Sequence, residues 1–311
     1  MHEPRDRETA DTLTLETFQM TKTLTKPTPP FPEQHQERPG RESRMTPLPE
    51  YKGAEYRSAG KLEAKRALIT GGDSGIGRAV AYFFAREGAD VAIVFLPAEE
   101  KDATQIASEI RSLGRRCVCI AGDVTDPVFC QAAVERTVAE LGGLDVLVNN
   151  AAFQQHQEAV ADLSIEQWEK TFRTNIHAYF YMVKAALPHL RTGASIINTG
   201  SVTGIEGSKK LLDYSSTKGA IHTFTKSLAQ QLVERGIRVN CVAPGPVWTP
   251  LNVADKTAEE AAKHGSSVPM KRPAQPDEIA PAYVFFASHA DSSYITGEVL
   301  TLLGGKTLGA A

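Results

Sequence analysis

The stretch Thr70-Gly71-Gly72-Asp73-Ser74-Gly75-Ile76-Gly77-Arg78 decides the fold of this 311-residue chain, because it joins a short apolar run to an amphipathic stretch of helical length. Gly71 can take the tight turn, Gly75 lets the backbone approach a pyrophosphate, and Gly77 lets the helix lie close to a sheet. The free N–H groups at the start of that helix favour an anion. An ordinary glycine turn is the alternative, but the strand-to-helix setting favours a dinucleotide-binding turn.

Around this turn, short apolar runs alternate with amphipathic stretches of helical length, a pattern typical of a parallel sheet covered by helices. It predicts seven strands: Ala67–Thr70, Val91–Phe95, Cys117–Ala121, Val146–Asn149, Ser195–Thr199, Arg238–Ala243 and Val299–Leu303. Repeated strand–helix–strand units cross over right-handedly. We therefore predict an α/β protein with a Rossmann-type, doubly wound, mostly parallel sheet, helices on both faces, and a ligand crevice at the carboxyl ends of the strands.

Two of the predicted helices have recognisable ends. Asp126-Pro127 supplies a cap and a proline at the first helical position, and Gly142-Gly143 closes the same helix. Ser164, with Gln167 three residues later, forms a capping box for a second helix that is expected to run to about Leu190.

The first 48 residues differ in composition from the rest of the chain. They are rich in proline, poor in apolar residues and without periodicity, so they offer little apolar surface to offset the entropy lost on folding. We predict a disordered or loosely draped N-terminal tail over residues 1–48 and a single Rossmann-fold domain over residues 49–311. Deletion of residues 1–44 is then expected to leave stability and activity nearly unchanged.

Charge and composition limit the partners of the chain. With a formal net charge of -3, the chain has no electrostatic footprint for nucleic acid or for an anionic membrane, so small molecules are the expected partners. The four cysteines lack zinc-ligand spacing and are interpreted as reduced core residues, and no metal site is predicted. There is no uninterrupted apolar run of about eighteen residues and no signal-peptide pattern, which favours a cytoplasmic location.

The pattern Thr-Gly-x-x-x-Gly-x-Gly resembles the fingerprint of the short-chain dehydrogenase/reductase family. The resemblance extends from Leu62 to Leu308, and the stretch from Tyr51 to Gly77 is most similar to the branch that contains glucose and ribitol dehydrogenases. It implies an NAD(P)-dependent oxidoreductase that transfers hydride between nicotinamide and an alcohol or carbonyl substrate such as a polyol, sugar, aldehyde or ketone. One departure is Ala152, where the family usually has glycine; the extra methyl group affects local packing beside the cofactor.

The same resemblance implies a set of cofactor contacts after the first, third, fourth and sixth strands and on the catalytic helix. They are Gly71, Asp73, Ser74, Gly75, Ile76, Gly77, Asp123, Val124, Asn150, Ala151, Tyr214, Lys218, Pro244, Gly245, Val247 and Thr249.

Tyr214 and Lys218 are four residues apart on a predicted helix, so their side chains point to one volume. Such a pair alone is common by chance, but the resemblance implies a catalytic tetrad in which Ser201 and Asn175 complete it. A phenol titrates near pH 10, so an ammonium and a positive nicotinamide must favour its ionised form. Tyr214 is then the general acid or base, Ser201 holds the substrate oxygen, and Asn175 orients a water that connects Lys218 to solvent.

The end of the second predicted strand leaves the choice of dinucleotide open. Phe95-Leu96-Pro97 offers neither the acid typical of NAD enzymes nor the basic group typical of NADP enzymes. With no carboxylate there to repel a phosphate and Arg78 beside the turn as a candidate partner, NADP is favoured over NAD.

The substrate region is less informative. In the resembling family the loop from Pro250 to about Met270 is a mobile substrate cover. Polar loop residues are candidates to line a pocket suited to a polyol, although exposed polar residues are the commoner explanation; they are Gln154, Gln155, Glu206 and Lys209. His156, His177 and His222 show no paired spacing and are assigned to the surface or the core.

Two other functions are open to this fold: a dinucleotide-sensing regulator without turnover, and an epimerase or dehydratase acting on sugar nucleotides. The complete tetrad argues against the sensor. The epimerase is disfavoured because epimerases of the broader family usually space the first glycines differently and carry a longer C-terminal substrate domain, whereas here the last predicted strand begins at Val299 and only Gly304 to Ala311 follow it.

The segments Ile176–Val183 and Tyr214–Leu232 carry more apolar residues than one side of a helix needs to cover a sheet. In the resembling family these helices pair with their copies, and the stretch from Gly297 to Leu308 forms a second contact. The expected assembly is a homotetramer; the alternative is that all these residues belong to the internal core.

Overall fold

A computed structural model describes residues 25–307 of the chain. Its centre is a seven-stranded sheet, parallel throughout, with strand order β3-β2-β1-β4-β5-β6-β7. The strands are β1 Arg66–Thr70, β2 Asp90–Phe95, β3 Cys117–Ala121, β4 Val146–Asn149, β5 Ser195–Thr199, β6 Arg238–Pro244 and β7 Val299–Leu302. The predicted fold class is confirmed, and each predicted strand end lies within one residue of the observed one.

Helices connect the strands on both sides of the sheet. They are α1 Gly75–Arg86, α2 Glu100–Ser112, α3 Pro127–Leu141, α4 Ile165–Phe172, α5 Ala178–Ala186, α6 Thr203–Glu206, α7 Leu212–Leu232, α8 Pro250–Val253, α9 Ala258–Ala262, α10 Pro276–Ala287 and α11 His289–Ser292. None of the helices within residues 25–307 is sufficiently long and apolar to cross a membrane.

Two apolar clusters fill the space between the sheet and its helices. Residues of α1, α2 and α10 form the cluster on one face, and residues of α3, α5 and α7 form the cluster on the other. Alternate residues of β1 belong to different clusters, with Ile69 on the first face and Leu68 on the second. This alternation follows from the two-residue period of a strand that is buried on both sides.

The predicted helix caps are present. Asp126 accepts a hydrogen bond from the Val128 N–H, and Gly142 ends α3 in the left-handed region at φ 84°. The Ser164 hydroxyl accepts from the Gln167 N–H at 3.1 Å. The single helix expected up to about Leu190 is interrupted by a π-helical turn over Arg173–His177, a feature that often marks functional sites.

The prediction of a disordered or draped tail needs correction over residues 25–48, here called the arm. Phe31 and Met45 are buried in a cluster with Trp248 and Val253, and the rings of Phe31 and Trp248 lie 4.2 Å apart. The arm therefore buries apolar surface that composition alone did not reveal. Residues 1–24 of the predicted tail lie outside the described residues.

The apolar helices considered for subunit contacts are largely internal. Most of their apolar side chains are buried within one chain, including Tyr179, Met182, Ile221 and Leu228, whereas Phe180 is half-exposed. Much of the surface that suggested an oligomer is therefore covered by the chain itself.

Candidate active site

A cavity of about 940 Å³ opens at the carboxyl ends of the strands, where the fold predicts the crevice. It contains the glycine-rich turn and Tyr214. The predicted site residues that line it are Gly71, Asp73, Ser74, Gly75, Ile76, Asp123, Val124, Asn150, Ala151, Ser201, Tyr214, Lys218, Pro244, Gly245, Val247 and Thr249. Gly77 and Asn175 lie behind this surface.

The glycine-rich turn needs its glycines for two different reasons. Gly71 and Gly75 have positive φ values of 63° and 52°, which side chains disfavour. A Cβ on Gly77 would collide with the carbonyl oxygen of Gly71, so this glycine lets α1 start directly against the turn. The N-terminus of α1 consequently faces the cavity; the Gly75 N–H donates to Glu42, and the N–H groups that follow it can bind a phosphate.

Thr70 and Asn150 fix the turn to the neighbouring strand. The Thr70 hydroxyl oxygen accepts from the N–H groups of Asn150 and Ala151 at 2.9 and 3.1 Å. The Asn150 amide donates in return to the carbonyl oxygens of Thr70 and Gly71, both at 3.1 Å. These four bonds make the wall of the cavity rigid where a dinucleotide would lie.

Tyr214 and Lys218 lie together on α7, as their spacing predicts. The Lys218 ammonium donates to the Thr199 carbonyl oxygen at 2.7 Å and lies 5.3 Å from the centre of the Tyr214 ring. Burial raises the pKa of Tyr214 to about 12, although a hydrogen bond with Ser201 works in the other direction. Burial lowers the pKa of Lys218 to about 8. The phenol is therefore protonated at neutral pH in the protein alone, and a cation beside it would be needed to lower its pKa.

His222 is a site residue that the sequence did not reveal. It is buried next to Ser201, whose N–H lies 3.4 Å from the imidazole Nε2. Burial and the charge of Lys218 lower the pKa of His222 to about 4, so the ring is neutral and its Nε2 can accept. Gly200 permits this contact, since a Cβ there would meet His222 and would lie 2.7 Å from the Cys241 sulfur.

Asn175 has a different set of partners from the one predicted. In the π-helical turn its side-chain oxygen accepts from the Phe153 N–H at 2.7 Å, and its amide donates to the Phe153 carbonyl at 2.9 Å and to the Thr217 hydroxyl at 3.1 Å. Both amide hydrogens are thus used by protein acceptors. Asn175 ties the loop after β4 to the catalytic helix.

The substrate side of the cavity contains a polar cluster centred on Asp255. Its buried carboxylate accepts from the Gln154 amide at 2.9 Å, from the His156 backbone N–H at 2.9 Å and from the His156 ring. Burial favours the protonated acid, but the bonds and charge of His156, with the charge of Arg38, outweigh it and hold the pKa of Asp255 below its ordinary value.

Of the polar residues proposed for this pocket, Gln154 lines the cavity, whereas Gln155, Glu206 and Lys209 do not. Arg38 and His156 line it without having been predicted. Another unpredicted contact joins the ammonium of Lys256 to the His264 ring at 2.9 Å.

The adenosine side of the cavity differs from the sequence-based picture in two ways. Arg78 does not line the cavity; its guanidinium donates to the Glu42 carboxylate at 3.2 Å and to the Tyr51 hydroxyl at 2.9 Å. The acidic residues Asp73, Glu99 and Asp123 line it instead. Asp73 is 1% exposed, and its Oδ2 has no hydrogen-bond partner within residues 25–307.

Comparisons with known proteins agree with this geometry. Residues 71–307 match a family model described as Enoyl-(Acyl carrier protein) reductase. The chain is 54% identical to the uncharacterized oxidoreductase YhdF of Bacillus subtilis, an alignment covering 88% of this chain and 94% of the relative. It is 50% identical to a glucose and ribitol dehydrogenase of Daucus carota, covering 88% and 96%. It is 47% identical to the chloroplastic NADPH-dependent aldehyde reductase 1 of Arabidopsis thaliana, again covering 88% and 96%.

Solved structures lead to the same family. A short chain dehydrogenase from Burkholderia cenocepacia in complex with NADP superposes with a TM-score of 0.73 at 35% identity, covering 79% of this chain and 98% of that one. A 3-ketoacyl-(acyl-carrier-protein) reductase from Brucella melitensis complexed with NADH gives a TM-score of 0.71 at 31% identity, covering 78% and 98%. The chain belongs to the short-chain dehydrogenase/reductase family of oxidoreductases, as the glycine-rich turn predicted.

Proposed function

We propose that this chain is an NAD(P)-dependent dehydrogenase or reductase that transfers hydride between nicotinamide and an alcohol or carbonyl group, with Tyr214 as the general acid or base. The observation that carries the proposal is the convergence of Tyr214, Ser201 and Lys218 on the cavity that also contains the phosphate-binding turn. Neither a sensor nor a purely structural protein needs a buried phenol and ammonium at that place.

The bound nicotinamide supplies or accepts the hydride. In the reducing direction, Tyr214 donates its hydroxyl proton to the carbonyl oxygen; in the oxidising direction, its phenolate accepts the alcohol proton. Ser201 donates a hydrogen bond to the same oxygen and holds it in place. Neutral His222 positions Ser201 through the backbone, and the Lys218 ammonium favours the phenolate.

For the cofactor, the comparisons leave both dinucleotides open, and one residue of the cavity bears on the choice between them. The names of the relatives include NADP, NADPH and NADH, and the turn suits the pyrophosphate of either dinucleotide. Glu99, in contrast, brings a carboxylate to the cavity just after β2, where it disfavours a 2′-phosphate. We propose NADP or NAD as the cofactor, with Glu99 as a residue that sets the ratio between them.

The substrate class is inferred from the polar groups that share the cavity with Tyr214. Gln154, His156, Ser208 and Lys256 line the cavity and present polar atoms to hydroxyl or carbonyl oxygens. An oxygenated substrate such as a polyol, a sugar, an aldehyde or a ketone fits this lining, and two relatives are named for such substrates.

The test is a screen of the full-length protein with NAD and NADP against glucose, ribitol, short aldehydes, ketones and enoyl thioesters, following the absorbance of the reduced nicotinamide. Turnover of an alcohol or carbonyl that is lost in Tyr214→Phe is the expected result. Turnover restricted to enoyl thioesters would contradict the proposed chemistry. Dinucleotide binding without any turnover would identify a sensor, and isomerised sugar without net change of nicotinamide would identify an epimerase.

The cytoplasmic location and the homotetramer stay predictions. For the tetramer, half-exposed Phe180 on α5 remains an available apolar contact, and the family resemblance still favours pairing of α5 and α7 with their copies.

A further inference from the structure

The arm reaches the cavity through three consecutive residues. Arg38, Pro39 and Gly40 line the same space as the glycine-rich turn and Tyr214. The arm is also held on both sides of this space, at Glu42 beside α1 and at Arg38 beside Asp255. A segment that crosses a crevice and is fixed at both edges forms part of its wall.

Glu42 fixes the arm to the start of α1. Its side chain is 2% exposed, and one carboxylate oxygen accepts from the Gly75 N–H at 2.6 Å. The other oxygen accepts from Arg78, and the Glu42 backbone N–H donates to Asp102 at 2.8 Å. These contacts join the arm to the turn that would bind the pyrophosphate.

Gly40 brings the arm directly against α8. A Cβ at this position would lie 2.7 Å from the Pro250 carbonyl oxygen, so only glycine lets the two backbones approach so closely. A Cβ on Gly75 would in turn lie 3.0 Å from the Thr249 side chain. The arm, α8 and the turn therefore meet in one tight layer over the crevice.

Several further contacts fasten the arm to residues 250–264, here called the cover segment. The Phe31 N–H donates to the Ala262 carbonyl at 2.9 Å, and the His35 ring lies 2.8 Å from the Lys256 carbonyl oxygen. The arm thus holds the segment that faces the substrate side of the cavity.

Arg38 has the geometry of a residue that meets the substrate. Its Nη2 donates to Asp255 at 2.9 Å, and its guanidinium carbon lies 5.7 Å from the centre of the Phe153 ring. The side chain is 34% exposed, and within residues 25–307 its Nε and Nη1 donate to no protein acceptor. A guanidinium held by a buried carboxylate keeps a fixed direction while offering its remaining donors to an oxygen acceptor.

We propose that arm residues 38–40, anchored by Glu42, form a wall of the active site and that Arg38 is a specificity-determining residue, binding an oxygen of the substrate remote from the reacting carbon. The substrate part of this inference rests on the proposed function. The inference implies an extended, oxygen-rich substrate. In such a substrate, a hydroxyl or carboxylate oxygen remote from the carbonyl would accept a hydrogen bond from the Arg38 guanidinium.

The first experiment measures substrate selection with Arg38→Met and the matched control Arg44→Met, an exposed arginine of the same arm outside the cavity. For a polyhydroxylated aldehyde, Arg38→Met is expected to raise KM about tenfold or more, the loss of one charge-assisted hydrogen bond. For a short aldehyde without a remote oxygen, the KM of Arg38→Met is expected to stay within about threefold of the wild-type value. Arg44→Met is expected to leave the KM for both aldehydes unchanged. An acidic aldehyde, compared in parallel, distinguishes a carboxylate from a hydroxyl as the preferred group. Equal losses for long and short substrates would overturn the contact and reduce Arg38 to a structural residue.

The second experiment needs no turnover. Limited trypsin digestion of the full chain is followed at Arg41 and Arg44 in the arm, with exposed Arg57 as the control site in the same digest. If the arm is a wall of the cavity, NADP or NAD at saturating concentration slows cleavage in the arm at least about threefold and leaves cleavage at Arg57 unchanged. If the sample binds the dinucleotide and cleavage is unchanged at all three sites, the proposal that the arm forms a wall of the cavity would be refuted. A protein that shows protection but oxidises or reduces nothing would refute the proposed function and Arg38's substrate contact, and would leave the wall established.

Discussion

Replacing Glu42 by glutamine tests whether burial or ion pairing decides the charge of the residue that anchors the arm. Burial raises the pKa of Glu42 from 4.5 to about 7, although the charge of Arg78 and the hydrogen bond from Gly75 oppose the rise. A folded-state pKa above the unfolded one means that the folded protein binds the proton more tightly. Stability contributed by this group is therefore complete below about pH 4.5 and is lost as the pH rises toward 7.

The size of the effect follows from the same shift. An increase from 4.5 to about 7 corresponds to roughly 3 kcal/mol of unfolding free energy between acidic and mildly alkaline pH. The amide introduced by Glu42→Gln would mimic the protonated acid at every pH. The variant therefore keeps the roughly 3 kcal/mol of unfolding free energy that the wild type loses as the pH rises. We expect the variant to be close to wild type at pH 5 and more stable than wild type at pH 8, by up to about 3 kcal/mol.

Urea denaturation at fixed protein concentration, at pH 5 and pH 8, measures the difference. Glu37→Gln is the matched control, because Glu37 is an exposed acid of the same arm with no side-chain partner within residues 25–307. A wild-type-minus-variant difference that does not change with pH would refute the reasoning. It would show that Arg78 keeps Glu42 ionised and that the ion pair outweighs burial.

Four further predictions concern the site and the assembly. Tyr214→Phe is expected to lower kcat by about 10²-fold or more while the dinucleotide dissociation constant stays within about threefold, and more than a tenth of wild-type kcat would contradict the assignment. Glu99→Gln should raise the NADP-to-NAD ratio of kcat/KM by about tenfold, because the variant removes a like charge that repels a 2′-phosphate, and a tenfold change corresponds to about 1.4 kcal/mol; exposed Glu100→Gln is the control, and an unchanged ratio would place the 2′-phosphate elsewhere. Deleting residues 1–44 removes Phe31 and Glu42 and should lower the melting temperature by about 5 °C or more, in place of the small effect expected from composition; an unchanged melting temperature would mean that the arm contributes little. Light scattering should give about four times the 33.7 kDa of one chain, and a mass near one chain would exclude the tetramer.

The strand bounds show what local patterns determine. Each strand is a short apolar run between helical stretches, and burial on both faces leaves that pattern little freedom. The glycine-rich turn is equally readable, because positive φ at Gly71 and close packing at Gly77 are demands that only glycine meets. Tyr214 and Lys218 share one helix, so their spacing alone brings them together.

The arm, in contrast, was decided by contacts between distant parts of the chain. Phe31 packs on Trp248 and Arg38 pairs with Asp255, each across more than two hundred residues. Low apolar content correctly indicates a segment that cannot fold alone, but it carries no information on a preformed surface that the segment can cover.

The same reason explains the errors within the site. The sequence placed Arg78 beside the cofactor because it follows the turn, yet its guanidinium pairs with Glu42 and Tyr51 and does not line the cavity. His222 reaches Ser201 only because β5 ends against α7. The sequence by itself determined the sheet, the phosphate turn and the catalytic pair, since each depends on residues a few positions apart. Tertiary structure alone decided which side chains surround them, because direction and burial depend on elements that only the completed fold brings into contact.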